Sequence, residues 1–146
     1  MNILFFLTPK EEVVYVYSDH SLRQVLEKME YHRYASIPII DREGHYVGTV
    51  TEGDLLWALK EHKALDLKDA ETITVMDIRR RMQNHAVRTN EDIEDLVGNA
   101  MNQNFVPVID DRGIFIGIIT RKQIMAFLYK QYLKNKEGKA NGEEEL

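Results

Sequence analysis

The sequence predicts an α+β fold in which a β-α-β-β-α unit occurs twice. Three observations lead there. Residues 38–51, PIIDREGHYVGTVT, and residues 107–120, PVIDDRGIFIGIIT, align at a constant offset of 69, with six of fourteen positions identical. Upstream of each block, Leu22, Val25, Leu26 and Met29, and again Ile93, Leu96, Val97 and Ala100, recur at i, i+3, i+4, i+7, the spacing of an amphipathic helix. The 146 residues are 44% hydrophobic and 29% charged, the composition of a chain that buries a core.

The elements follow in order. Val13–Tyr17 and Ala86–Arg88 are read as first strands. Each leads to a helix opened by polar residues, Ser18–Ser21 in one copy and Thr89–Asp92 in the other. Strands around Ile37–Ile40 and Val106–Ile109 come next, and their prolines suit a strand edge or start. Asp-Arg-Glu-Gly and Asp-Asp-Arg-Gly make hairpin turns, with glycine able to take positive φ. Third strands, Tyr46–Val50 and Ile114–Ile119, run into second helices, Gly53–Lys60 and Lys122–Tyr132. A charged stretch, Lys60–Ala70, precedes ITVMDIRRR, read as a short strand and helical turn. The organisation expected is repeat 1 with its lead-in over residues 1–70, repeat 2 over 71–133, and a disordered acidic tail over 134–146.

Composition excludes several function classes. With 19 basic and 24 acidic residues the net charge is −5, which opposes nucleic-acid binding. The absence of cysteine removes disulfide scaffolds, thiolate metal sites and a cysteine nucleophile. Apolar runs such as Ile3–Leu7 fall far short of the roughly 20 residues of a membrane span, so a cytoplasmic protein is expected. His20, His32, His45, His62 and His85 lack metal-ligand spacing, and none is read as a ligand. Arg79–Arg81 reads as a solvated linker face or a contact for phosphate or an acidic partner. Trp57, Met125, Phe127 and Tyr132 on the closing helices read as core or subunit contacts.

A strand proline, an Asp-x-x-Gly hairpin and a closing Gly-x-x-Thr-x-x-Asp, clearest in GTVTEGDLL (residues 48–56), resemble a cystathionine-β-synthase (CBS) domain. Two in tandem resemble a Bateman module, which implies two repeats packed about a pseudo-two-fold axis, and the likeness covers about residues 6–132. It is to the stand-alone bacterial CBS pairs, some of which bind cyclic di-AMP. The resemblance implies a sensor of adenine nucleotides (AMP, ADP, ATP or cyclic di-AMP) that signals to a protein partner, without catalysis and without a cofactor in the strict sense.

Position by position, the resemblance implies two clefts. One joins Ala86, Val87, Arg88, Phe105, Val106 and Pro107 with Thr51 and Asp54. The other joins Val14, Tyr15, Val16, Tyr34, Ala35, Ile37 and Pro38 with Thr120, Arg121 and Lys122. The residues themselves leave two readings open. Thr51 and Asp54 suit a helix capping box, or a phosphate and a ribose diol. Gln123 keeps the box in repeat 2 but lacks the carboxylate, while Arg121 and Lys122 put cations where the helix dipole disfavours them. They are either solvated surface cations or contacts for several phosphate charges, as in cyclic di-AMP. Tyr34 is a base-stacking ring or a half-exposed strand aromatic. The closing helices carry more large apolar residues than one face buries, which predicts a homodimer. A structural dimerisation module and a nucleotide-processing enzyme stand as alternatives, the latter without a nucleophile elbow, P-loop or metal cluster in the sequence.

Overall fold

The computed structural model describes residues 2–62, 67–81 and 84–144. Its strands are β1 (Thr8–Pro9), β2 (Val16–Tyr17), β3 (Ser36–Ile40), β4 (Tyr46–Thr51), β5 (Val87–Arg88), β6 (Phe105–Ile109) and β7 (Phe115–Thr120). Its helices are α1 (Leu22–His32), α2 (Glu52–His62), α3 (Leu67–Ala70), α4 (Ile93–Ala100) and α5 (Arg121–Glu144). Two sheets result, in orders β2-β3-β4 and β1-β7-β6-β5.

Local chemistry explains why the repeats match. Asp41 Oδ1 accepts the amides of Glu43 and His45 at 2.9 Å each, and Asp110 Oδ1 does the same for Arg112 and Ile114. These bonds favour the ionised carboxylates and hold both below the usual range, the His45 and Ile114 amides contributing most. Gly44 and Gly113, at φ 94° and 81°, let each turn close. The helices start on side-chain caps. Ser21 and Gln24 form a reciprocal box on α1, and Asp92 accepts the Asp95 amide on α4.

The two prolines stand in central strands, not at sheet edges as expected. β3 lies between β2 and β4, and β6 between β5 and β7. Parallel pairing starts only at Val16 with Ile39 and at Val87 with Val108, one residue past each proline. The missing proline donor therefore costs no ladder bond, and each sheet parts at that point. This parting also shortens the first strands from their expected lengths to Val16–Tyr17 and Val87–Arg88.

The lead-in segments cross over. β1, grouped by sequence with repeat 1, pairs antiparallel with β7, Thr8 opposite Ile118. Ile3 joins the second core with Val87, Leu96, Val106, Val108, Ile119 and Ile124, while Phe6 packs edge-on against Phe127. In return Ala70, Val75 and Ile78 join the first core around Val16, Leu22, Val25, Ile37, Ile39 and Val50. The segment ITVMDI pairs with α1 through its backbone: Leu22 N–H donates to Ile73 O at 2.8 Å and Val75 N–H to His20 O at 3.0 Å.

α5 differs from its expected length. It runs through residues 134–144, which were expected to be disordered. The segment is proline-free and carries Lys, Glu and Ala, which propagate a helix once thirteen residues upstream have nucleated it. Residues 63–66 of the charged stretch, residues 145–146 of the tail and the His62 side chain lie outside the described residues. Among the described residues, no helix is long and apolar enough to cross a membrane.

Candidate functional site

Where β2 and β3 part beside Pro38, a cleft of about 370 Å³ opens between the repeats. Val13, Val14, Ile37, Pro38, Phe105 and Ile118 supply apolar walls, and Tyr34, Ala35, Thr8, Glu12, Ser36, Asn104 and Thr120 complete the lining. The structure thus brings together six residues of the set expected there: Val14, Tyr34, Ala35, Ile37, Pro38 and Thr120. Four others stand apart. Val16 is fully buried in the first core. The Tyr15 ring lies under Lys10 and Lys28, its carbonyl accepting the Lys28 ammonium at 2.5 Å. Arg121 Nε donates to Ala100 O at 2.9 Å, which ties the guanidinium to the end of α4. Lys122 is exposed.

Tyr34 follows Arg33, whose φ of 59° ends α1 in a left-handed cap. Tyr34 is 49% exposed, and its ring stacks on His32, 5.7 Å between centroids and 5° between planes. Thr120 starts α5 with a box: its amide donates to Gln123 Oε1 at 2.9 Å, and the Gln123 amide donates to Thr120 Oγ1 at 3.2 Å. The cleft therefore joins flat apolar walls, an aromatic ring at the mouth and the positive end of a long helix. That combination suits a base attached to phosphate.

The counterpart cleft, about 510 Å³, is built differently. Tyr46, Val47, Gly48, Thr49, Ile78, Arg80, Asn84, His85 and Ala86 line it. Of the residues expected there, only Ala86 is present. Phe105 lines the other cleft, Val87 and Val106 are fully buried in the second core, Pro107 is buried, and exposed Arg88 reaches Asp111 O at 3.4 Å. Thr51 and Asp54 close on each other: Thr51 N–H donates to Asp54 Oδ2 at 2.9 Å, and Asp54 N–H to Thr51 Oγ1 at 3.1 Å. The second carboxylate oxygen accepts the Arg81 amide at 3.0 Å, leaving Asp54 2% exposed. Tyr46 donates its hydroxyl to Asn84 O and bonds Thr49 Oγ1, both at 2.8 Å, and burial pushes that hydroxyl up to about 12.

Sequence reading missed Thr8, Glu12, Val13, Ser36, Asn104 and Ile118. Ile118 could have been found from Thr120, two positions away on the same face of β7, and Asn104 as the residue preceding the expected Phe105. Thr8 had no such signal, because it depends on the crossing of the lead-ins. Asp41, Glu43 and His45 bring one donor atom each within 4.8 Å, but Asp41 already accepts from its own turn and lies 3.2 Å from His45 Nδ1. The hairpin accounts for that cluster.

A family model described as the CBS domain matches residues 6–61 and 70–130, both repeats. The chain belongs to the CBS-domain family. The CBS pair is 27% identical over 130 residues to an inosine-5′-monophosphate dehydrogenase of Methanocaldococcus jannaschii, covering 88% of this chain but 24% of that enzyme. This chain therefore spans about a quarter of that relative. CbpB in complex with c-di-AMP superposes with TM-score 0.79 at 22% identity, over 94% of this chain and 91% of that one. CBSX2 in complex with AMP superposes with TM-score 0.69 at 24% identity, over 90% and 98%. These likenesses carry the fold of a tandem CBS module.

Proposed function

We propose that this CBS pair is a non-catalytic regulatory protein of the cytoplasm that binds an adenine nucleotide in the cleft between Pro38 and Thr120. The observation that carries the reading is that cleft: apolar walls for a base, Tyr34 at its mouth and the start of α5 for phosphate. Proteins of the same fold hold c-di-AMP and AMP, which supports an adenine ligand. Cyclic di-AMP is the preferred one. Its 3′ oxygens are esterified, so it needs no carboxylate at the helix start to clasp a ribose diol, and Gln123 offers none there; the carboxylate of the lining, Glu12, comes from the lead-in instead. Lys122 does not line the cleft, but from the exposed first turn of α5 its long side chain offers a cation to phosphates held at Thr120.

The ligand bridges β3 of repeat 1 and α5 of repeat 2. It can therefore shift the balance between two placements of the repeats by its differential affinity for them, and so alter contact with a protein partner. Leu56, Trp57, Met125, Tyr129 and Tyr132 are exposed on α2 and α5, and we assign them to a homodimer interface. Light scattering should then report about twice 17.1 kDa, and a monomer mass at micromolar concentration would refute the dimer.

Thermal melts with AMP, ADP, ATP, cyclic di-AMP and S-adenosylmethionine test the function. A ligand at 100 times its Kd stabilises the native state by about 2.7 kcal/mol, and the midpoint rises accordingly. Silence across the panel overturns the reading in favour of a structural dimerisation module. Chromatographic turnover of any ligand overturns it in favour of an enzyme.

A further inference from the structure

We infer that Gln103 occupies, with its own side-chain amide, the position a nucleobase takes in the other cleft, so that each chain holds one nucleotide and not two. This rests on the nucleotide-binding reading above. The repeat register makes the comparison direct. The pairings Val16 with Ile39 and Val87 with Val108 are equivalent, so Val14 corresponds to His85, Val13 to Asn84 and Tyr34 to Gln103.

Tyr34 stands at the mouth of its cleft, 49% exposed. Gln103 turns inward and is 3% exposed. Its Oε1 accepts the His85 amide at 2.8 Å, and its Nε2 donates to His85 O and to Phe105 O, both at 3.2 Å. A carboxamide pairing with both the N–H and the C=O of one residue presents adjacent acceptor and donor atoms. The edge of an adenine carries the same pair, a ring nitrogen beside an amino group. Among the described residues, no side chain hydrogen-bonds the backbone of Val14, the equivalent of His85. One cleft thus keeps its strand edge for a base, and the other has spent it on glutamine.

The remaining walls agree. Val13, Val14 and Ile118 are replaced in the counterpart by Asn84, His85 and Thr49. The Tyr46 hydroxyl ties Thr49 to the Asn84 carbonyl, where Phe115, its equivalent, has no hydroxyl to offer. Arg80 lies across Gly48 while donating to Val75 O at 3.1 Å. A base entering this side must break the Gln103 and Tyr46 bonds and leave buried polar groups unpaired.

Calorimetric titration of the full chain with cyclic di-AMP and with AMP tests the inference. At most one nucleotide per chain is expected, and two per chain would overturn it. Ala35→Trp, which fills the open cleft, should abolish all binding; a surviving site would overturn it. Gln103→Ala should add a second, weaker site, and a stoichiometry unchanged in the folded variant would overturn the role of Gln103. Amide exchange of the unmodified protein gives an independent readout. Saturating cyclic di-AMP should slow Val14 at least tenfold and leave His85 unchanged, and the reverse pattern would overturn the assignment. Failure of the wild type to bind either nucleotide would instead strike the function proposed above, and this inference with it.

Discussion

Asp54→Ala should destabilise the protein substantially while leaving nucleotide affinity unchanged. The carboxylate is 2% exposed, and both oxygens accept backbone amides, from Thr51 at 2.9 Å and Arg81 at 3.0 Å. Alanine leaves two amides without acceptors, in a place that water reaches poorly. Bonds to a charged group contribute about 1.5–3 kcal/mol each, and two on one carboxylate are not additive, so a loss of about 2–4 kcal/mol is expected. For a chain of this length that is a midpoint drop of roughly 5–15 °C. Urea denaturation followed by the fluorescence of Trp57 is well suited to the measurement. Trp57 is the single tryptophan, on the same helix as Asp54, and its ring lies 5.3 Å from the Arg81 guanidinium. A loss below about 0.5 kcal/mol would show that the box and its tie to Arg81 contribute little. A tenfold fall in nucleotide affinity of the folded variant would refute the reasoning from the other side, by placing a ribose against this carboxylate.

The two motif glycines should respond unequally. Gly117→Ala sets a Cβ onto the Thr8 carbonyl and Pro9 and should cost about 1–3 kcal/mol or detach β1, whereas Gly48→Ala meets only the side-chain end of Arg80, at 3.3 Å, and should cost less; matched denaturation curves decide this. Tyr46, neutral when folded up to about 12, ionises near 10 when unfolded. Stability present below pH 10 should therefore be lost as pH rises from 10 through 12, by at most about 2.7 kcal/mol. Tyr46→Phe should flatten that decline in urea midpoints, and an equal slope would refute it. Arg121→Ala should lower the melting midpoint through loss of the Ala100 bond, while Lys122→Ala should leave the midpoint alone and weaken cyclic di-AMP about tenfold or more, both read from melts and titration.

Features that depend on residues within three or four positions were legible in the sequence. The Asp-x-x-Gly hairpins, the Ser21 and Asp92 caps and the apolar faces of α1 and α4 follow from local geometry, and their recurrence identified the repeat. The open cleft was legible in part, since Tyr34, Ala35, Ile37 and Pro38 lie on one short stretch and Thr120 on its symmetry partner. Distant pairings were not. The crossing of β1 to β7 joins residues more than a hundred positions apart, and nothing local to Thr8 distinguishes that partner from its own repeat. Thr51-x-x-Asp54 reads equally as cap and as ligand grip until the Arg81 amide is seen to lie against it. Gln103 reads as one more polar residue after a helix until His85 is placed beside it. The sequence by itself determined the repeated unit, because turns, caps and periodicity are short-range physics. Tertiary packing decided which of two symmetry-related clefts keeps its backbone edge open, because that depends on the groups that two separately folded stretches bring against each other.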